Sequence, residues 1–276
     1  MTATDETKPS GPVGESPKQS SFIDNFLKSP FSGIAPWIVL SVFSSPGRFE
    51  EAAAAALGLS LLVLWLSYRR GIGVHSLEVF GVLVFAIFAV LGLIAPHNVI
   101  GWLELWAGEV TNISLAAFAI FTLLIRRPFT LAYAKETTPQ EYWESPLFLR
   151  INYAITSAWA AAFVFAAIVG AIGDAVLHDS GNFWTGWVLQ LAAIFAAVAF
   201  TEFYPDYASA KAASAAGQPQ PLPSIVRIFD WLPTFVLAVG IYGWVSGVLP
   251  DAVGIGMIVA GIVGAAVIRR FGADTA

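Results

Sequence analysis

The chain has 276 residues, 57% of them hydrophobic and 12% charged, with a mean hydropathy of +0.71. Soluble domains carry about 25% charged residues. Half that charge cannot cover the surface of this much apolar volume, which argues against a water-soluble enzyme and for an integral membrane protein. A net charge of −5 gives no basic footprint for nucleic acid. The absence of cysteine removes disulfides, thiolate catalysis and Cys-based metal or Fe–S sites.

Residues 1–30 are rich in Ser, Pro, Thr, Gly and Glu, and are expected to be a disordered cytoplasmic tail. The first apolar segment starts near Phe31 without a small-residue cleavage pattern, so no signal peptide is read. Phe22, Phe26 and Leu27 beside Lys28 suit a short amphipathic turn, although a linker is the simpler reading.

From there apolar blocks alternate with short polar joints, and an all-α polytopic transmembrane bundle is predicted over 31–272, with a short tail at 273–276. A crossing takes about 20 apolar residues. Seven blocks qualify: 52–67, 78–95, 109–125, 153–173, 184–203, 231–248 and 252–268. An eighth run at 33–45 is shorter, with Pro36 expected near its start. Its length suits a re-entrant half-helix, whereas basic-residue placement favours an eighth crossing.

Lys and Arg stay on the cytoplasmic side of membrane spans. Joints with Arg69/Arg70, Arg126/Arg127/Lys135/Arg150, Lys211/Arg227 and Arg269/Arg270 alternate with the basic-free joints 96–100, 174–183 and 249–251. The expected arrangement is a multi-pass inner-membrane protein of bacterial type with its C-terminus in the cytoplasm. Cytoplasmic loops then cover 126–152, amphipathic and aromatic, and 204–229. Trp102, Trp106, Trp184, Trp187, Trp231 and Trp244 fall near span ends, where indoles anchor in the headgroup zone. Residues 99–109 suit a helix lying in the outer interface.

Small residues recur through 231–248 and 252–268, including Gly240, Gly243, Gly254, Gly261 and Gly264, so these spans should form a closely packed antiparallel hairpin. Intrachain packing is the simpler use of that seam; a homo-oligomer or another membrane partner stays open. The 126–152 loop interleaves basic and aromatic residues and is expected to lie on anionic headgroups of the bilayer.

Candidate polar positions are few. Glu109 and Asn112, one turn apart, could accept a proton or cation; Glu202 lies at the far end of span 184–203, with Gln190 as that span's amide. Arg126, Arg127, Arg150 and Asn152 complete the set. His75, His97 and His178 sit in separate joints and are read without a second ligand a turn away, so neither a metal nor a cofactor is expected. No phosphate-loop, dinucleotide, nucleophile-elbow or HExxH motif occurs.

The order of APWIVLSVF (35–43), EEAAAAALGLSLLVL (50–64), RRPFTLAYA (126–134) and RINYAITSAW (150–159) resembles the bacterial intracellular septation protein A family over roughly residues 34–170. That resemblance implies a small polytopic inner-membrane protein tied to envelope integrity and septation, with no known catalytic site. The leading expectation is therefore a non-enzymatic envelope or scaffolding protein. The alternative is a small-solute or proton-coupled transporter, which requires Glu109, Asn112, Gln190 or Glu202 to converge. A lipid-modifying membrane enzyme comes third.

Overall fold

The computed structural model describes residues 22–43, 47–179, 181–218 and 220–273. Most of the expected 1–30 tail and residues 274–276 lie outside these. Every regular element among the described residues is helical: α1 (Phe22–Leu27), α2 (Pro30–Phe43), α3 (Phe49–Arg69), α4 (Ser76–Ile94), α5 (His97–Leu124), α6 (Thr130–Thr137), α7 (Pro146–Ala171), α8 (Leu189–Ala215), α9 (Leu232–Val245) and α10 (Asp251–Ala273). Short π turns at Ile172–Val176 and Phe183–Val188 extend α7 and precede α8. Seven helical segments, built on α3, α4, α5, α7, α8, α9 and α10, are long and apolar enough to cross a membrane, and α2 is the shorter apolar helix.

The spans match the apolar blocks, and several run further, whereas α9 stops at Val245. Residues 99–109 are not a separate surface helix; they are the first turns of α5, because nothing between Pro96 and Ile125 interrupts the backbone ladder. Pro146 does not break a loop but opens α7: Ser145 caps the helix by accepting the Phe148 N–H at 3.2 Å, and Pro146 follows where no N–H is needed. The 126–152 segment accordingly keeps only α6 and a 3₁₀ turn at Gln140–Tyr142 before α7 begins. α8 continues through Pro205 to Ala215, which shortens the second joint. Pro30 rather than Pro36 begins α2, and Pro36 is inside it. Residues 22–27, read as linker, form a helix whose Leu27 is buried; Asp24 pairs with Arg70 at 2.5 Å.

α2 does not re-enter. Ser32 at its start meets Glu78 in the first turn of α4, whereas beyond its end Gly47 N–H donates to Glu104 at 2.6 Å and Phe49 packs on Phe88. The chain between these points runs from one end of the bundle to the other. Trp37 and Leu40 are fully buried on the way, Trp37 lying 4.6 Å from Phe85 and 5.8 Å from Phe80, ring centre to centre. Helices α3, α5 and α7 and the joints between them then place Arg69, Arg70, Arg126, Arg127 and Arg150 at the end where α2 starts, hereafter the basic end.

The core lies between α2, α3, α4, α5 and α7. On α3 the buried positions Ala52, Ala53, Ala56, Ser60, Val63 and Ser67 repeat at helical spacing, and their small side chains admit α2 and α4 closely. α7 is the most enclosed span, half of its apolar window being buried, against 11% for α8, α9 and α10. Exposed apolar faces on these outer helices are what a lipid solvent requires.

The expected α9–α10 hairpin is present, and its backbones touch. A Cβ on Gly261 would come 2.7 Å from the Pro233 carbonyl oxygen and 2.8 Å from Leu237 N; one on Gly240 would come 3.0 Å from Gly254 O. Gly256 faces open space. Overpacking such a seam costs about 1–3 kcal/mol or more. Gly261→Leu should therefore lower the thermal midpoint of the purified protein in detergent by several degrees, while Gly256→Ala leaves it unchanged or slightly raised. Equal midpoints for the two variants would show that the seam is not packed.

Candidate functional site: two buried polar clusters

At the basic end, His75 occupies the N-cap position of α4 and Glu78 the third position after it. This is the spacing of a capping box, in which a side chain three residues on reaches back to the helix start. The Glu78 carboxylate accepts from His75 N–H (3.3 Å), meets the imidazole Nδ1 (3.0 Å) and accepts from the Ser32 hydroxyl (3.0 Å). His75 and Glu78 are buried almost completely. The reading of His75 as lacking a neighbour a turn away is thus corrected: its neighbour is a carboxylate. Tyr133 from α6 stacks on the imidazole with ring centres 3.9 Å apart and planes 14° from parallel. Glu136, one turn further, accepts from Gly73 N–H at 3.2 Å and lies 3.9 Å from His75 Nε2.

This arrangement clamps α6 against the α3–α4 joint. It leaves His75 Nε2 and the Tyr133 hydroxyl buried without a well-formed hydrogen bond. Burial, reinforced by the Glu78 carboxyl, pushes the Tyr133 phenol well above its usual value near 10, with the Ser32 hydroxyl beside it pulling the other way. Next to it, α6 and α7 share a second polar contact. The Thr130 hydroxyl lies 3.1 Å from the Asn152 carbonyl oxygen and 2.8 Å from the Thr156 hydroxyl. One proton cannot serve both, so Thr156 donates to Thr130 and Thr130 to Asn152. The Asn152 amide donates back to Phe148 O at 2.9 Å.

The second cluster lies toward the other end. Glu109 is buried on α5, and Asn112, one turn on, donates to Gln190 Oε1 at 3.0 Å. Gln190 in turn donates to Thr185 O at 2.9 Å, in the π turn that precedes α8. Gly170 on α7 makes room for this: a Cβ there would collide with Glu109 Oε1 and come within 3.0 Å of Gln190 Nε2. Asp174, on the π turn that ends α7, lies beside the Glu109 side chain. Thr111 and Thr185 hydroxyls are buried without hydrogen-bond partners among the described residues. Nearby, Asp179, Asn182, Trp184, Trp187 and Tyr242 line a cavity of about 360 Å³.

Of the positions singled out in the sequence, Glu109, Asn112 and Gln190 converge, whereas Glu202 is exposed on α8 and stands apart from them. Asn152 is buried at the basic end; Arg126, Arg127 and Arg150 are exposed there and form no ion pair among the described residues. Ser32, His75, Glu78, Tyr133 and Asp174 went unrecognised. The His-x-x-Glu spacing at 75–78 was the available signal for two of them; Asp174 had none, because a π turn brings it inward. Among the described residues no group of three or more His, Asp or Glu side chains could hold a metal ion. Comparisons with protein-family models, curated proteins and solved structures found no match.

The phenol's raised value has a stability consequence. A group that binds its proton more tightly when folded contributes stability below its unfolded value, about pH 10, and loses it as the pH rises through the folded one. The thermal midpoint of the wild type should drop more steeply above about pH 10 than that of Tyr133→Phe, which at neutral pH should be as stable or slightly more so. Parallel curves would contradict the buried, protonated phenol. Glu78→Ala strips the His75 N–H and imidazole of their partner, while Ser32 keeps the Leu27 and Ser29 carbonyls, and should cost about 2 kcal/mol, read as an earlier unfolding midpoint.

Proposed function

We propose that the bundle moves protons across the membrane. The observation that carries this reading is the convergence of Glu109, Asp174, Asn112 and Gln190 between α5, α7 and α8. Glu109 is buried where α5 meets α7, and Gly170 leaves the room its carboxyl occupies. An acidic side chain within a membrane span is costly, and packing alone does not call for one. Both π turns border this cluster, and such turns concentrate at functional sites.

The polar cavity lined by Asp179 and Asn182 would hold water at the same end of the bundle. Toward the basic end the buried residues of α7 are mostly apolar: Ala162, Phe163 and Ala166 lie between this cluster and Thr156. Under this reading that stretch is the barrier that must shift for a proton to pass. We place the basic end in the cytoplasm of a bacterial inner membrane, with the C-terminus inside, on the Lys/Arg asymmetry of the joints. No catalysis is assigned.

A second reading is the structural envelope role implied by the resemblance to septation protein A. The dense aromatic core around Trp37 and the backbone-on-backbone α9–α10 seam favour it. The two are separated by reconstituting the protein in vesicles loaded with a pH-sensitive dye and imposing a proton gradient, with a potassium diffusion potential holding the voltage. Transport predicts acidification faster than in protein-free vesicles, a drop of at least tenfold in that excess for Glu109→Gln, and no change for Glu202→Gln. Flux no greater than that of empty vesicles, or equal flux in Glu109→Gln and wild type, would leave the structural reading in place.

A further inference from the structure

α4 and α5 are joined by only Ala95 and Pro96, yet they part as they run toward the basic end, α4 packing on α2 and α3 while α5 packs on α7. Between them, under α6, opens a cleft of about 1200 Å³. Its walls are Phe80 and Val84 on one side and Ile113, Ala117 and Phe121 on the other. The floor is a run of rings, Phe80 stacking on Phe118 at 4.6 Å and Phe118 meeting Phe129 at 5.8 Å. The α5 wall runs from Ile113 to Ile125, about 18 Å at 1.5 Å per residue. One leaflet of a hydrocarbon core about 30 Å thick occupies about 15 Å. The cleft is one leaflet deep.

Its rim has one sign of charge. Arg127 and Lys135 line the mouth with the Ser76 hydroxyl, and the lining contains no carboxylate. Both cations are held in place. Arg127 N–H donates to Thr122 O at 2.8 Å and Arg126 N–H to Leu123 O at 3.0 Å, with Arg126 at φ 58°. This is a helix stop of the Schellman type, with arginine in the left-handed position that glycine usually fills. It turns the chain so that Arg127 faces the cleft, and Arg127 makes no ion pair among the described residues. The Lys135 ammonium rests 4.8 Å from the centre of the Trp143 ring.

We propose that this cleft binds an anionic glycerophospholipid, its acyl chains on the phenylalanine floor and its phosphate on Arg127 and Lys135. Apolar walls one leaflet deep select a lipid over a free phosphate. Two cations and no carboxylate in the lining select an anionic headgroup over a zwitterionic one. The site is separate from the Glu109 cluster and stands whether or not that cluster carries protons.

Native mass spectrometry of the detergent-purified full chain tests it, with phosphatidylglycerol and phosphatidylcholine of the same acyl chains as probes. Wild type should retain phosphatidylglycerol at least tenfold better than phosphatidylcholine, and millimolar inorganic phosphate should not displace it. Arg127→Gln/Lys135→Gln should lose that preference, whereas Arg150→Gln/Arg227→Gln, with the same charge removed elsewhere, should keep it. Ala117→Trp, which fills the cleft and leaves the rim intact, should reduce retention of phosphatidylglycerol. If Ala117→Trp fails to fold, the rim pair decides alone. Equal retention of the two lipids by wild type, displacement by phosphate, or equal preference in the two double variants would overturn the proposal.

Discussion

A bilayer interior contains no water to satisfy a stray N–H, carbonyl or carboxyl, and that constraint orders this molecule at every level. At the level of the backbone it leaves helices as the available answer for a single chain of this kind. At the level of side chains it sorts polar groups into places where they can satisfy one another. Glu78 collects His75 and Ser32 where α4 begins; Thr130, Asn152 and Thr156 satisfy each other where α6 leans on α7. Asn112, Gln190 and the Thr185 carbonyl do the same near the opposite end, beside Glu109. Between these clusters the α5–α7 seam is filled by alanine and aromatic rings.

The same constraint explains where the structure spends its irregularity. Two π turns face each other at Asp174 and Thr185, and a non-glycine residue takes a left-handed conformation at Arg126. Each costs backbone energy that a plain helix would avoid. Each also positions a polar side chain: Asp174 reaches Glu109, and Arg127 turns onto the cleft beside α4. The outer hairpin of α9 and α10 shows the opposite economy. It offers few polar groups, and glycines bring its two backbones together so that dispersion contacts can hold it.

Most of the spanning architecture was legible in the sequence, because an apolar run of about twenty residues is itself the physical requirement for a crossing. That Glu109 and Asn112 belong to one polar region was legible from their spacing, and the hairpin from its glycines. The joints were harder. Ser145–Pro146 is a helix start that looks like a loop when prolines are counted as breakers, and residues 99–109 look interfacial only if α5 is assumed to stop at the usual crossing length. Glu78 was hidden at the edge of an apolar block, since its partners Ser32 and Tyr133 are remote in sequence. Asp174 was assigned to a joint because regular helical geometry would leave it there.

The account rests on a bundle that threads the membrane repeatedly with its arginine-bearing ends gathered on one side. The chain has no native cysteine, so single cysteines can be placed without background. Asn98→Cys and Val248→Cys, at the basic-free end, should react in intact cells with a thiol reagent that cannot cross membranes; Glu144→Cys and Ala216→Cys should react only after the cells are opened. Reaction at Glu144 with protection at Asn98, or equal reaction at all four positions in intact cells, would contradict the arrangement.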